Sequence, residues 1–165
     1  MLNVSIVIPA WNEEERINDC LLNATRQTVR PHEVIVVDNR STDSTVAVVE
    51  QFMKDHPEAP VKLLHQDDEQ GLIPTRDYGL NHATGDILGR FDADCMIRPD
   101  WVEVVSGIFT EDPDAMGATG PGTIPPANVF IGPMMGNLCC SVPTWPCAPP
   151  PGAKSPTRSA KTRRM

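Results

Sequence analysis

Val4-Ser-Ile-Val-Ile-Pro9 is a nearly continuous apolar, β-branched run closed by proline. Apolar residues on consecutive positions suit a strand covered on both faces, the environment of a parallel sheet. Glu33-Val-Ile-Val-Val-Asp38 repeats the pattern, and Val61-Lys-Leu-Leu-His65 and Asp86-Ile-Leu-Gly-Arg-Phe-Asp92 follow it. Helical spacing fills the intervals. Ile17, Leu21, Ala24 and Thr28 continue one face, which Pro31 stops; Val46, Val49 and Met53 form a second; Ile73, Leu80 and Ala83 form a third. Trp101, Val104, Val105 and Ile108 recur at i, i+3, i+4 and i+7, the clearest helical stripe in the chain. The order β-α-β-α-β-α-β-α predicts an α/β fold: a mainly parallel, Rossmann-like sheet in a three-layer α/β/α arrangement. Ligands of such sheets sit beyond the carboxyl ends of the strands, where strand order reverses.

Local signals punctuate this frame. Asn12 is expected to cap a helix whose first turn holds Glu13, Glu14 and Glu15. Thr42 or Asp43 is expected to cap the next, and Gly71 with Pro74 to open the third. Gly85 stands where a left-handed cap belongs, and Pro99 at a first helical position. Ala115–Thr119 reads as a fifth strand and Asn128–Met135 as a further one.

Charge is unevenly spread. Of 165 residues, all 22 Asp and Glu lie at or before Asp114. Nine Lys and Arg against those acids leave the chain up to Pro150 at −13, while the tail carries +5. So acidic a body argues against unaided binding of nucleic acid. Ten of the 17 prolines fall from Pro121 onward, and the stretch from Gly136 lacks any period. The expected division is a folded domain over 1–120 and an irregular, disordered, basic tail over 121–165 that cannot offset its ordering entropy. The tail's charge leaves room for peripheral contact with an anionic membrane. The five cysteines are odd in number and without C-x₂-C spacing, no window approaches a membrane span, and Val4–Ala10 is too short for a secretory signal. A cytoplasmic location with reduced thiols is the expectation, extending to the inner face of the membrane.

Three polar clusters fall at carboxyl ends of strands: Trp11–Glu13, Asp38–Asn39 and Asp92–Asp94. In Asp92-Ala-Asp94 two like charges stand one residue apart and need a reason to coexist. A divalent cation carrying phosphates is sufficient, because Mg²⁺ and Mn²⁺ sit between one or two carboxylates and a substrate diphosphate.

Val4-Ser-Ile-Val-Ile-Pro-Ala-Trp-Asn-Glu-Glu14, Val36-Val-Asp-Asn-Arg-Ser-Thr-Asp-Ser-Thr45, Gly71-x₄-Arg76-Asp-Tyr-Gly79 and Phe91-Asp-Ala-Asp94 occur in this order and spacing. Together they resemble the nucleotide-sugar half of family 2 glycosyltransferases of the GT-A fold. The resemblance spans roughly residues 4–120 and looks truncated beyond them. It implies that Pro9, Ala10 and Trp11 wall the nucleotide base, with the Trp11 ring stacking on it. It places Glu13 near the ribose or base, or at the helix dipole, and makes Asp38 an acceptor for the base. Arg76 would face the diphosphate or base edge, Asp92 and Ala93 the donor, and Asp94, with Asp92, a Mn²⁺ or Mg²⁺ ion. Asp43 is assigned to a helix start.

The implied function is transfer of a sugar from a nucleoside-diphosphate donor to an unidentified glycan, lipid or small-molecule acceptor, in the manner of cell-envelope glycan synthesis. The chain departs from the family at Asn39, where a second Asp is usual, at Arg40, where Gly is frequent, and at Asp77, which replaces Asn. It also lacks the family's Q-x-x-R-W segment, and no Asp or Glu follows Asp114. Asp100, Glu103, Glu111, Asp112 and Asp114 are the remaining acids for a base, and none has the family's context. A truncated, catalytically inert nucleotide-sugar-binding fragment is the alternative. A metal-dependent nucleotidyltransferase is a further one.

Overall fold

The computed structural model describes residues 2–118 and the backbone of 139–141. Its strands are β1 (Val4–Ala10), β2 (Glu33–Asp38), β3 (Val61–His65), β4 (Ile87–Arg90), β5 (Gly117–Ala118) and β6 (Cys139–Ser141). Its helices are α1 (Ile17–Thr25), α2 (Thr45–Asp55), α3 (Leu72–His82) and α4 (Trp101–Glu111). The sheet order is β3-β2-β1-β4-β6-β5. β3, β2, β1 and β4 run parallel, and β6 pairs antiparallel with both β4 and β5. The chain moves outward from β1 to β3 and then crosses back to β4, so strand order reverses between β1 and β4.

The two faces of the sheet are covered differently. Val4, Ile6, Ile8, Val34, Val36 and Ile87 pack against α1, α2 and α4 in one cluster. Val7, Ile35 and Val37 pack against Tyr78, Leu80 and Ala83 of the α3 segment in a smaller one. The arrangement is the three-layer α/β/α fold with a mainly parallel sheet that the alternating pattern predicts. Every residue of β1 and β2 is buried, which explains why these strands read as unbroken apolar runs.

Close approach fixes α3. A methyl group added at Gly79 would stand 2.4 Å from Val7 Cγ1 and 2.8 Å from Val37 Cγ2. Only a residue without a side chain lets the helix lie this near the strands.

At the amino ends of the strands Glu33 is buried. Its Oε1 accepts from Ser5 Oγ at 2.7 Å, from the Thr84 amide at 2.6 Å and from Thr84 Oγ1 at 2.8 Å; its Oε2 accepts from Lys62 Nζ at 2.7 Å. Burial alone would push this carboxyl up, but the Lys62 ammonium, the Ser5 hydroxyl and the two Thr84 donors outweigh it and hold the pKa at about 2.

Several local expectations are corrected. Asn12 does not cap α1, which begins at Ile17 after a turn over residues 13–16. Gly85 is not left-handed; a side chain there would meet Ser5 Oγ at 2.6 Å and the Asn3 carbonyl at 2.8 Å, so space explains it. Pro99 precedes the Asp100 cap rather than opening α4. The inner face of α4 is Trp101, Val102, Val105, Ser106 and Phe109, while Val104 and Ile108 are exposed. Ile73 is exposed too. The fifth strand is two residues long. β6 lies inside the segment expected to be irregular; the remainder of that segment, including the strand expected at 128–135, is outside the described residues. Cys20 and Cys95 are free thiols. Among the described residues no helix is long and apolar enough to cross a membrane.

Two stability measurements follow. Gly79→Ala is expected to destabilise the domain by about 1–3 kcal/mol through overpacking, read as a lower urea midpoint. Glu33 has a lower pKa folded than its ordinary 4.5, so its contribution is complete above pH 4.5 and is lost as pH falls toward about 2. That contribution is about 3 kcal/mol at most, and urea denaturation between pH 6 and 3 is expected to show a flatter acid dependence in Glu33→Gln.

Candidate active site

The carboxyl ends of β1, β2 and β4 surround a cavity of about 530 Å³ beside the switch point. Its walls are Pro9, Ala10, Trp11 and Glu13 after β1, Asn39 after β2, Gln70, Gly71, Leu72 and Thr75 at the start of α3, and Asp92, Ala93 and Asp94 after β4. Seven residues singled out in the sequence therefore meet in one cleft. Trp11 is 55% exposed, with its ring open to a partner.

Two residues singled out with them do not line the cavity. Asp38 is buried: the Ser41 amide donates to its Oδ1 and Oδ2 at 3.4 Å, and His65 Nδ1 lies 3.7 Å from Oδ2. Arg76 donates from Nη2 to Asp92 Oδ1 at 2.8 Å.

The loops after β1 and β2 are laced together. Asn12 takes a left-handed backbone (φ 56°), donates its amide to Ser41 Oγ at 3.0 Å, and accepts from the Thr42 amide through Oδ1 at 2.8 Å. Asparagine tolerates this conformation better than most residues. The Glu13 amide donates to Thr45 Oγ1 at 2.8 Å and the Ser44 amide to Glu14 Oε2 at 2.8 Å. Asp43 accepts from the Glu14 amide at 3.2 Å and, through Oδ1, from the Thr45 amide at 2.9 Å. It thus holds the start of α2, the structural task expected of it. Burial works to raise its pKa, but the Thr45 and Glu14 donors prevail and lower it.

Asn39, a departure from the family and part of the polar cluster expected after β2, is a wall residue as well. Its Nδ2 donates to the carbonyls of Gln66 (2.7 Å) and Glu69 (3.1 Å), and its Oδ1 accepts from the Gly71 amide at 2.8 Å. One buried amide thereby clamps the 66–71 loop that forms the far wall. Arg40 adopts φ 61° and donates to the Asp67 carbonyl, which shows why glycine is frequent there and how an arginine is accommodated. Gln70, Leu72 and Thr75 were missed because loop residues and a helix start carry no periodic signal; the usable signal was Gly71, at φ 148°.

The cleft is acidic. The Glu13 carboxyl is pushed up first by burial and then by Asp94, against the pull of Arg16, with Asp43 and Asp92 adding to the rise. Asp94 is exposed, and the Asp92 side chain is 46% exposed with Oδ1 on Arg76. Among the described residues no group of three or more His, Cys, Asp or Glu closes into a metal cage. Two oxygen-donor carboxylates at an open cleft fit a hard divalent ion that completes its shell with water and phosphate, and fit poorly the metals that favour sulfur or nitrogen. Asp100, Glu103, Glu111, Asp112 and Asp114 lie on or beside α4, and none lines the cavity.

The family model for glycosyl transferase family 2 matches residues 5–135. Glycosyltransferase AglE of Haloferax volcanii is 36% identical over 125 residues, covering 74% of this chain and 40% of that protein. A mannosyltransferase of Pyrobaculum calidifontis, solved with GDP-Man and Mn²⁺, superposes with a TM-score of 0.62 at 29% identity, over 70% of this chain and 34% of that one. TarS of S. aureus superposes at 0.65 with 21% identity, over 79% and 39%, a likeness of fold. The chain thus spans less than half the length of these relatives. With a switch-point cleft of this composition and a family match over most of its length, the chain belongs to glycosyl transferase family 2.

Proposed function

We propose that the cleft binds a nucleoside-diphosphate sugar together with Mn²⁺ or Mg²⁺, and that this domain is the donor half of a glycosyltransferase. The observation that carries the reading is the meeting of an exposed Trp11 ring with an acidic Glu13, Asp92 and Asp94 cluster in one cavity at the β1/β4 switch point. The complex of the Pyrobaculum relative with GDP-Man and Mn²⁺ supports it.

Pro9, Ala10 and Trp11 form a wall for the base, and Asp38, buried and facing the Ser41 amide, holds the loop after β2. Asp94, free of a cationic partner among the described residues, takes the ion, with Asp92 beside it. A bound divalent ion supplies charge stabilisation to the departing diphosphate. The residues of the chain hold the donor with its diphosphate toward Asp94 and leave the sugar facing the cleft mouth, where an acceptor hydroxyl can approach. The family assignment removes the nucleotidyltransferase alternative. Donor binding without turnover by this chain remains a second reading, favoured because no acid of α4 or its exit lines the cavity.

Isothermal titration with UDP-, GDP- and TDP-sugars, with and without Mn²⁺, tests the proposal. Metal-dependent binding is expected for at least one donor and is expected to disappear in Asp94→Ala; binding indifferent to both would defeat it. Trp11→Ala is expected to weaken donor binding about tenfold, in line with the loss of one stacking contact. Asn39→Asp sets a carboxylate against two carbonyl oxygens; it is expected to destabilise the domain by about 1–3 kcal/mol and to speed proteolysis at the 66–71 loop.

A further inference from the structure

Arg76 and Asp92 form a pair whose two members face different surroundings. Asp92 lines the cavity and Arg76 does not, so the guanidinium holds the carboxylate from outside the cleft. The Arg76 side chain is 18% exposed, and its Nε is buried without a partner among the described residues. Arg76 is thus a resident counter-cation for one half of the acidic pair, fastened through one nitrogen and rich in unused donors.

Resting on the donor-site reading above, we propose that Arg76 is a positioning residue that makes divalent-ion binding conditional on the diphosphate. In the empty cleft it neutralises Asp92, and Asp94 is the member of the pair left without a cationic partner among the described residues. A hard cation that needs several oxygen ligands is then poorly served, and it is repelled by the nearby guanidinium. When a nucleoside diphosphate enters, its oxygens supply the missing ligands. The added phosphate charge offsets the repulsion by the guanidinium, and Asp92, bonded to Arg76 through Oδ1, still has Oδ2 to offer the ion. Metal and nucleotide then bind as a coupled pair, each raising the affinity of the other by the same factor.

Electron paramagnetic resonance of free Mn²⁺ measures this in the full 165-residue chain, alone and with saturating UDP or GDP. The proteins compared are the wild type, Arg76→Gln, Arg76→Lys and Asp94→Asn, each checked for folding by its thermal melt. Wild type is expected to bind Mn²⁺ about tenfold or more tightly with nucleotide than without, within the usual range of coupling. Arg76→Gln is expected to bind Mn²⁺ alone about threefold or more tightly than wild type and to lose most of the coupling, whereas Arg76→Lys, which keeps the charge, stays close to wild type. Arg76→Ala serves the same comparison if the Gln variant is unfolded. Equal affinity of wild type and the uncharged variant for Mn²⁺ alone overturns the role of Arg76. Binding with nucleotide that Asp94→Asn leaves unchanged overturns the donor-site reading instead.

Discussion

The absence of one methyl group governs much of this molecule. Because Gly79 has no side chain, α3 settles directly on Val7 and Val37. That contact sets the height of the helix over the sheet, and the rest of α3 follows rigidly. One turn earlier Arg76 reaches Asp92, and at the amino end Thr75, Leu72 and Gly71 arrive at the cavity wall. A helix displaced outward by a larger residue would carry all of these away from β4. The apolar contact and the polar site are therefore one arrangement, with packing on the strands deciding where charge is placed at their ends.

A second constraint is that acids must be held together against their own repulsion. Glu13, Asp92 and Asp94 come from two separate loops, and the Glu13 carboxyl, pushed up first by burial, is pushed further by the charge of the other two. Holding them takes rigid backbone. Asn12 in its left-handed turn, bonded to Ser41 and Thr42, fixes the first loop on the second. Asn39 fixes the second on the loop before α3. These bonds fix the charged loops to one another through backbone and short side chains.

Much of this was legible in the residues, and the reasons differ from element to element. β1 and β2 were readable because burial on both faces demands an unbroken apolar run. The convergence of Trp11, Glu13 and Asp92–Asp94 followed from topology, since parallel strands deliver their carboxyl ends to one edge. The partner of Arg76 was not readable, because a side-chain direction depends on helix height and not on sequence spacing. The inner face of α4 was misjudged: Val104 and Ile108 obey the period as well as Val102 and Phe109 do, and only the neighbouring strand chooses between them. Gly85 was assigned a backbone role where the actual reason was the crowding of Ser5 and Asn3. Asn39 was visible as an anomaly, but its three bonds belong to a loop without periodic pattern.

The buried Glu33 network and the acidic cleft stand at opposite ends of the same strands, and their carboxyls are displaced in opposite directions. Glu33 is held down to about 2, and Glu13 is pushed above its ordinary value. Acidification therefore reaches Glu13 before it reaches Glu33. Between the two lies an interval in which Glu13 is already losing its charge while Glu33 keeps its own. The bonds of Ser5, Lys62 and Thr84 to Glu33, which tie β1 and β3 to β2, are therefore the more acid-resistant of the two arrangements.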